Sequence, residues 1–115
     1  MKTVSLDRYL EARQVWKPIG KYEFLLQRPT ELDVVKQRDN GGRFNVEFAA
    51  RYVINWKGVL ESDFLPDGFQ EEVEFSSPLF CKWIEDKPEL WLDIANAIAE
   101  LYIGHQQKVE ERGNG

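Results

Sequence analysis

The segment Leu90–Ile103 constrains the fold of this chain more than any other, because it is nearly all apolar and contains no proline. Pro88 precedes it and favours a helix start, so we predict a helix from about Glu89 to Gln107. With about 100° of rotation per residue, its apolar side chains spread over about 240° of the helix circumference. One small core seldom covers so wide an arc.

A second apolar stripe lies on the flank of this predicted helix and consists of Leu92, Ala99 and Ile103. Polar residues that include Asp93 and Glu100 fall between about 40° and 100° from Leu92. Two interpretations are open. Either the stripe contacts another protein chain, which makes these three residues the candidate partner-binding site, or an N-terminal helix or strand of the same subunit covers it.

Shorter elements are predicted nearer the N-terminus. A helix from Ser5 to about Trp16 begins with a serine cap, and Pro18 and Gly20 end it. The apolar run Tyr22–Arg28 is typical of a strand.

Thr30 and Asp33 then have the spacing of a capping box, which predicts a helix of about two turns. We expect that helix to carry Leu32, Val34 and Val35 inward.

Four aromatic residues spaced four apart, Phe44, Phe48, Tyr52 and Trp56, predict a helix from Arg43 to Trp56. Residues with this spacing lie on one face of a helix. Such an aromatic face is either part of the core or a groove for a ligand or peptide.

The segment Val59–Phe75 fits a hairpin around the turn Asp67-Gly68, and equally a long loop with two short strand pieces. Ser76-Ser77-Pro78 provides a serine cap and a first-turn proline for a helix predicted from about Pro78 to Asp86. The chain as a whole is predicted to be one mainly α (α+β) domain over residues 1–115, with a frayed tail from about residue 108. It should contain about four to five helices and one or two short strands or a hairpin.

Charge is divided unevenly along the chain. The net charge is −5, with +2 in residues 1–50 and −7 in residues 51–115. This argues against nucleic acid as a partner, because no basic run is present to meet phosphates. The acidic half could be a solvated face, could attract a basic partner, or could promote head-to-tail self-association into a homo-oligomer.

The predicted compartment is the cytoplasm. Cys81 is the only cysteine and cannot form an internal disulfide, and the N-terminus lacks the apolar core of a signal peptide. The apolar stretch Leu90–Ile103 is shorter than the roughly 20 residues that span a bilayer. We therefore predict no membrane association.

Recognisable catalytic or metal-binding chemistry is missing from the sequence. Cys81 lies among apolar residues, where a thiol behaves as a small hydrophobic group, and His105 is predicted to favour a helix C-terminus through its charge. The acids of Glu61–Glu74 lack the alternating ligands of a calcium loop, and Gly41-Gly42 lacks the lysine of a phosphate loop. We predict no enzyme, no cofactor and no metal.

Several motifs follow one another from Phe44 to Tyr102. They are an aromatic helix closing in Asn55–Val59, an acid-glycine turn at Asp67-Gly68, a helix entry at Phe75-Ser76, and Pro88-Glu89-Leu90 before a long final helix. In this order they resemble the tail assembly chaperones of long-tailed bacteriophages and prophages. Arg28-Pro29-Thr30 adds a weaker similarity, whereas Glu71–Glu74 and the long loop after Trp56 depart from the family pattern.

This resemblance implies a small, mainly helical, non-enzymatic protein of the host cytoplasm that binds the tape measure protein and helps recruit tail tube subunits. Family members often exist in a short form and a longer, frameshifted form. The alternatives are another phage structural or joining protein, and a small non-catalytic module that binds a peptide or ligand at the aromatic face.

Overall fold

The computed structural model describes residues 1–39 and 50–114, and the side chains of residues 1–37 and 50–110. Within these ranges the chain forms four α-helices, three β-strands and one 3-10 turn. In chain order they are α1 (Leu6–Glu11), β1 (Gln14–Ile19), β2 (Tyr22–Gln27), α2 (Glu31–Asp39), β3 (Val53–Lys57), the 3-10 turn Glu61–Asp63, α3 (Ser77–Glu85) and α4 (Pro88–Asn114). The strands form one antiparallel sheet in the order β1-β2-β3.

The first two strands are joined by a two-residue turn, since Ile19 pairs directly with Tyr22. Gly20, at the first position of this turn, has a φ of +62°, which residues with a Cβ rarely adopt. β1 lies at the edge of the sheet, and an edge strand tolerates Pro18 because one side of it needs no ladder hydrogen bonds.

The predicted first helix is too long. Its cap is correct, because the N–H of Arg8 donates to Ser5 Oγ at 3.2 Å, but α1 ends at Glu11. None of the residues of α1 is buried, so packing contributes little to extending the helix. The following residues instead pair with β2 as strand β1.

β3 replaces the C-terminal part of the helix predicted from Arg43 to Trp56. Trp56 pairs with Phe24, and Val53 pairs with Leu26. The paired positions are three residues apart on β3 but only two apart on β2, so β3 contains one extra residue, which forms a β-bulge. The bulge turns Val53 and Trp56 toward the same face. Apolar residues three apart, which are typical of a helix, therefore share one face of a sheet here. Phe44 and Phe48 lie outside the described residues.

The core lies between one face of the sheet and the helices α3 and α4. β2 lies where a strand was predicted, and its buried side chains alternate, with Phe24 and Leu26 fully buried. Phe24 packs against Phe80 of α3 with ring centroids 6.2 Å apart. Ile94 and Ile98 of α4 are also fully buried and belong to the same cluster.

An aromatic cluster around Trp56 attaches the loop after β3 to this core. The centroid of the Trp56 ring lies 5.1 Å from that of Phe75 and 5.8 Å from that of Trp83, and both pairs are edge-to-face. The indole N–H donates to the carbonyl oxygen of Val73 at 2.6 Å. The loop is thus held by both packing and a hydrogen bond.

Residues 58–76 form a long loop with short paired pieces, which is one of the two predicted alternatives. The N–H of Val73 donates to the Val59 carbonyl at 2.8 Å, and Leu60 forms an isolated bridge with Glu72. Gly68 packs so closely that a Cβ there would lie 2.6 Å from the carbonyl oxygen of Glu61. The Asp67-Gly68 turn therefore requires glycine.

α2 begins as predicted but packs differently. The N–H of Thr30 donates to Asp33 Oδ2 at 3.1 Å, and the N–H of Asp33 donates to Thr30 Oγ1 at 3.0 Å, which completes the capping box. The prediction that Leu32, Val34 and Val35 point inward is wrong: Leu32 and Val35 are exposed, and Val34 is half-buried.

α3 has a serine cap as predicted, and the structure identifies the capping residue as Ser76, whose Oγ accepts a hydrogen bond from the N–H of Leu79 at 3.4 Å. α4 begins at Pro88, close to the predicted start, and ends at Asn114, seven residues beyond the predicted end at Gln107. His105 is therefore inside the helix rather than at its C-terminus, so the predicted capping role for His105 is wrong. Fraying of the tail remains a prediction.

The predicted fold class is wrong in its balance of elements. Over residues 1–39 and 50–114, the chain is about half helical and has an α+β fold with a three-stranded antiparallel sheet, not a mainly α fold with one or two short strands. The difference comes from Gln14–Ile19 and Val53–Lys57. Both segments pair with β2, and neither shows the plain alternation of a half-buried strand.

The carboxylate of Asp63 attaches the 3-10 turn to the hairpin. It accepts hydrogen bonds from the Tyr22 hydroxyl and the Leu60 N–H, both at 2.8 Å, and lies 3.1 Å from Lys21 Nζ. Burial alone would raise the pKa of Asp63, but the hydrogen bonds from Leu60 and Tyr22, together with Lys21, hold this pKa below its usual value.

We expect Asp63→Asn to lower the free energy of unfolding by about 1–3 kcal/mol at neutral pH, because it replaces an ionised acceptor that three donors share. Because the pKa of Asp63 is lower in the folded protein than in the unfolded chain, the unfolded chain binds this proton at a higher pH. The free energy of unfolding therefore decreases as the pH falls below about 4. Urea unfolding between pH 7 and pH 3 measures both effects. Asp67→Asn, at an exposed acid of the same loop, is the control. If Asp63→Asn loses as much stability between pH 7 and pH 3 as the unchanged protein does, the Asp63 carboxylate is not the source of the pH dependence.

Candidate interaction surface

The three residues predicted to bind a partner lie on the side of α4 that faces away from the sheet. Leu92 is 59% exposed and Ile103 is 53% exposed, whereas Ala99 between them is half-buried. Ile94 and Ile98 of the same helix are 0% exposed. α4 thus has a buried side and a separate apolar side. We call Leu92, Ala99 and Ile103 the outer stripe.

The geometry of a helix accounts for this division. With Leu92 as the origin, Ala99 and Ile103 lie within about 20° of it, whereas Ile94 and Ile98 lie at about 200° and 240°. The outer stripe runs from residue 92 to residue 103, about 16 Å along the helix axis. No described element covers Leu92 or Ile103, so the interpretation in which the N-terminal helix or a strand buries them is wrong for these two residues.

A row of exposed polar residues, Asp93, Asn96 and Glu100, borders one edge of the outer stripe. These three residues line a cleft of about 550 Å³ between α4 and the β1–β2 hairpin. Lys17 lines the cleft from the hairpin side. The acidic edge is therefore accessible from solvent along the length of the stripe.

The other edge of the outer stripe meets α2. The Gln106 side-chain amide donates to the Tyr102 hydroxyl at 2.9 Å and to Glu31 Oε1 at 3.0 Å. Glu31 is the first residue of α2, so the turn of α4 that follows Ile103 lies beside the start of that helix.

Additional apolar side chains are exposed on α2 and in the N-terminal region, outside the outer stripe. On α2, Leu32 is 62% exposed and Val35 is 48% exposed. Sequence reasoning missed both residues, because a three-residue spacing predicts a shared face but not whether that face is inward. The N-terminal region also exposes large apolar residues, namely Val4, Leu6 and Tyr9.

Cys81 and His105 are the cysteine and the histidine of the sequence, and neither lies in a cluster of potential metal ligands among the described residues. Cys81 is half-buried and packs against the core cluster. Burial, followed by the charge of Arg28, lowers the pKa of His105. Within the described residues, no three His, Cys, Asp or Glu side chains converge to hold a metal ion.

The aromatic face proposed as an alternative ligand groove is described in part. Tyr52 and Trp56 are 4% and 5% exposed, respectively, and both belong to the core cluster. These two residues cannot offer a ligand their rings without opening the core. Phe44 and Phe48 lie in the part of the chain that is not described.

Among the helices that the structure describes, none combines the length and the hydropathy that a membrane crossing requires. Comparisons with models of known protein families, with characterised proteins and with solved structures found no significant match to this chain. The surface chemistry of the fold is therefore the basis for assigning a function.

The division of α4 is testable by thiol labelling. In a Cys81→Ala background, Leu92→Cys and Ile103→Cys should react with a maleimide reagent about tenfold or more faster than Ile94→Cys, because labelling of a buried thiol waits for local opening. Mass spectrometry of quenched time points gives the rates. Equal labelling rates at residues 94 and 103 contradict this division of α4.

Proposed function

We propose that this protein is a non-catalytic binding protein whose outer stripe docks an amphipathic helix of a partner chain. The observation that carries the proposal is the exposure of Leu92 and Ile103 on a helix whose opposite side is fully buried at Ile94 and Ile98. Two large aliphatic side chains that stay exposed in line, about 16 Å apart, leave apolar area that a partner can remove from water.

A helical partner fits this surface better than an extended one. The outer stripe is a single line of side chains at helical spacing, and a second helix can lay residues i, i+4, i+7 and i+11 along it. A partner strand would need free backbone groups at a sheet edge, whereas α4 has its backbone hydrogen bonds within the helix.

The specific role we propose is that of a phage or prophage tail assembly chaperone, which binds the tape measure protein and helps recruit tail tube subunits. Its support is the order of motifs between Phe44 and Tyr102, together with the exposed outer stripe. A tape measure protein is a long amphipathic helix, so its holder needs an apolar docking surface and enough charge to keep the complex dissolved. The net charge of −5 meets the second need.

We expect Leu92→Asp combined with Ile103→Asp to abolish solubilisation of a co-expressed tape measure protein. The reason is that each substitution places a charge where an apolar contact is required, and burial of a leucine or isoleucine side chain contributes about 1.5–3 kcal/mol. Because both positions are exposed, the free energy of unfolding should change by only about 1 kcal/mol or less. Circular dichroism melting and the soluble fraction of the partner measure the two effects.

The matched control is Gln70→Asp combined with Ser77→Asp, which adds the same charge at exposed polar positions outside α4. This variant should keep the tape measure protein soluble. If the Leu92/Ile103 variant unfolds, the two positions belong to the core and the docking surface is wrong. If it stays folded and still solubilises the partner, another surface binds.

The tail assignment has a separate genetic test. A tail assembly chaperone should be encoded beside an overlapping reading frame, followed by a very long helical reading frame for the tape measure protein. It should also be absent from purified mature particles. Retention in particles would favour a structural or joining protein instead.

A further inference from the structure

The two edges of the outer stripe differ in charge, and we propose that this difference selects a partner helix bordered by lysine or arginine on one side. The partner class is therefore a basic amphipathic helix, with its cationic edge lying along Asp93 and Glu100. This inference rests on the proposed function, because it concerns the helix that docks on the outer stripe.

The acidic edge is available to a partner. Asp93 and Glu100 are exposed, and the two ion pairs among described residues lie elsewhere, joining Lys21 to Asp63 and Lys82 to Glu85. Lys17 is the one cation among the residues that line the adjoining cleft, which also include both acids. An incoming cation would thus meet an excess of negative charge along this edge.

The opposite edge offers no comparable attraction. It carries Ala95, Tyr102 and Gln106, all uncharged. Glu31 lies beyond Gln106, and its negative charge is offset by Arg28, which lies close enough to interact with Glu31 electrostatically. A partner helix with lysines on one edge and neutral residues on the other is therefore the complementary match.

A second copy of this chain is a poorer occupant. In an antiparallel two-fold pair of α4 helices, the same edge of each helix lies on the same side of the interface, so the edge with Asp93 and Glu100 of one copy would lie beside the same acidic edge of the other. Like charges that face each other across an interface oppose association. Residues 51–115, which include α4, carry a net charge of −7, and this adds to the repulsion.

The spacing of the acids sets the spacing expected of the partner. Asp93 and Glu100 are seven residues apart, about 10 Å along the axis, which is also the rise between positions i and i+7 of a docked helix. We therefore expect the partner to carry two basic residues one heptad apart, beside its apolar stripe.

Three designed helical peptides test this inference. They share one apolar stripe and differ only at two edge positions seven residues apart, which hold lysine, glutamine or glutamate. By fluorescence polarisation at low salt, the lysine peptide should bind about twofold to thirtyfold more tightly than the glutamine peptide, and the glutamate peptide should bind most weakly. Raising the salt to about 0.5 M should shrink these differences, since exposed charges are screened.

Asp93→Asn combined with Glu100→Gln should make the lysine and glutamine peptides bind equally, with the affinity for the glutamine peptide unchanged. Glu71→Gln combined with Glu74→Gln removes the same charge at exposed positions of the loop and should preserve the preference. This control separates local pairing from the overall charge of the protein.

The outcomes distinguish this inference from the proposed function. Equal binding of all three peptides to the unchanged protein, abolished by Leu92→Asp with Ile103→Asp, overturns the charge selection and leaves the docking function intact. Binding of no peptide overturns both. If light scattering shows that the unchanged protein is a dimer and that Leu92→Asp with Ile103→Asp is a monomer, the outer stripe binds a second copy. That result would also overturn the charge selection.

Discussion

The packing of α4 on a narrow sheet is the constraint from which the rest of the structure follows. Neighbouring strands lie about 4.8 Å apart, so three strands give a platform about 10 Å wide, and α3 packs in the same core. A helix with its side chains is about as wide as that platform. Only the arc of Ile94 and Ile98 is fully buried, while Leu92 and Ile103 on the other side remain in solvent.

The parts of the fold that sequence reasoning predicted correctly are those with local causes. The strand at Tyr22–Gln27, the serine cap of α3 and the reciprocal Thr30–Asp33 hydrogen bonds each follow from adjacent residues. β3 could not be predicted this way, because a bulge against β2 converts a helical spacing into one face of a strand. β1 likewise depends on its pairing with β2, which local propensity does not encode.

The candidate site was predictable to the extent that it lies on one helix. The angular spread of apolar residues over α4 indicated an excess beyond what one core covers, and Leu92 and Ile103 are indeed exposed. The surroundings of the stripe were not predictable, because the cleft beside Lys17 and the contact of Gln106 with Glu31 arise from tertiary packing. Those surroundings make the acidic edge of the outer stripe different from its uncharged edge, and this difference is the basis for proposing a basic partner helix.

Methyl NMR during titration with the lysine-edged peptide would locate the docking surface residue by residue, because it reports on each isoleucine and leucine in the folded protein. We expect the methyl signals of Leu92 and Ile103 to shift in proportion to binding, while those of Ile94 and Ile98 stay in place. Shifts confined to other surfaces, or equal shifts at Ile98 and Ile103, would contradict docking on the outer stripe.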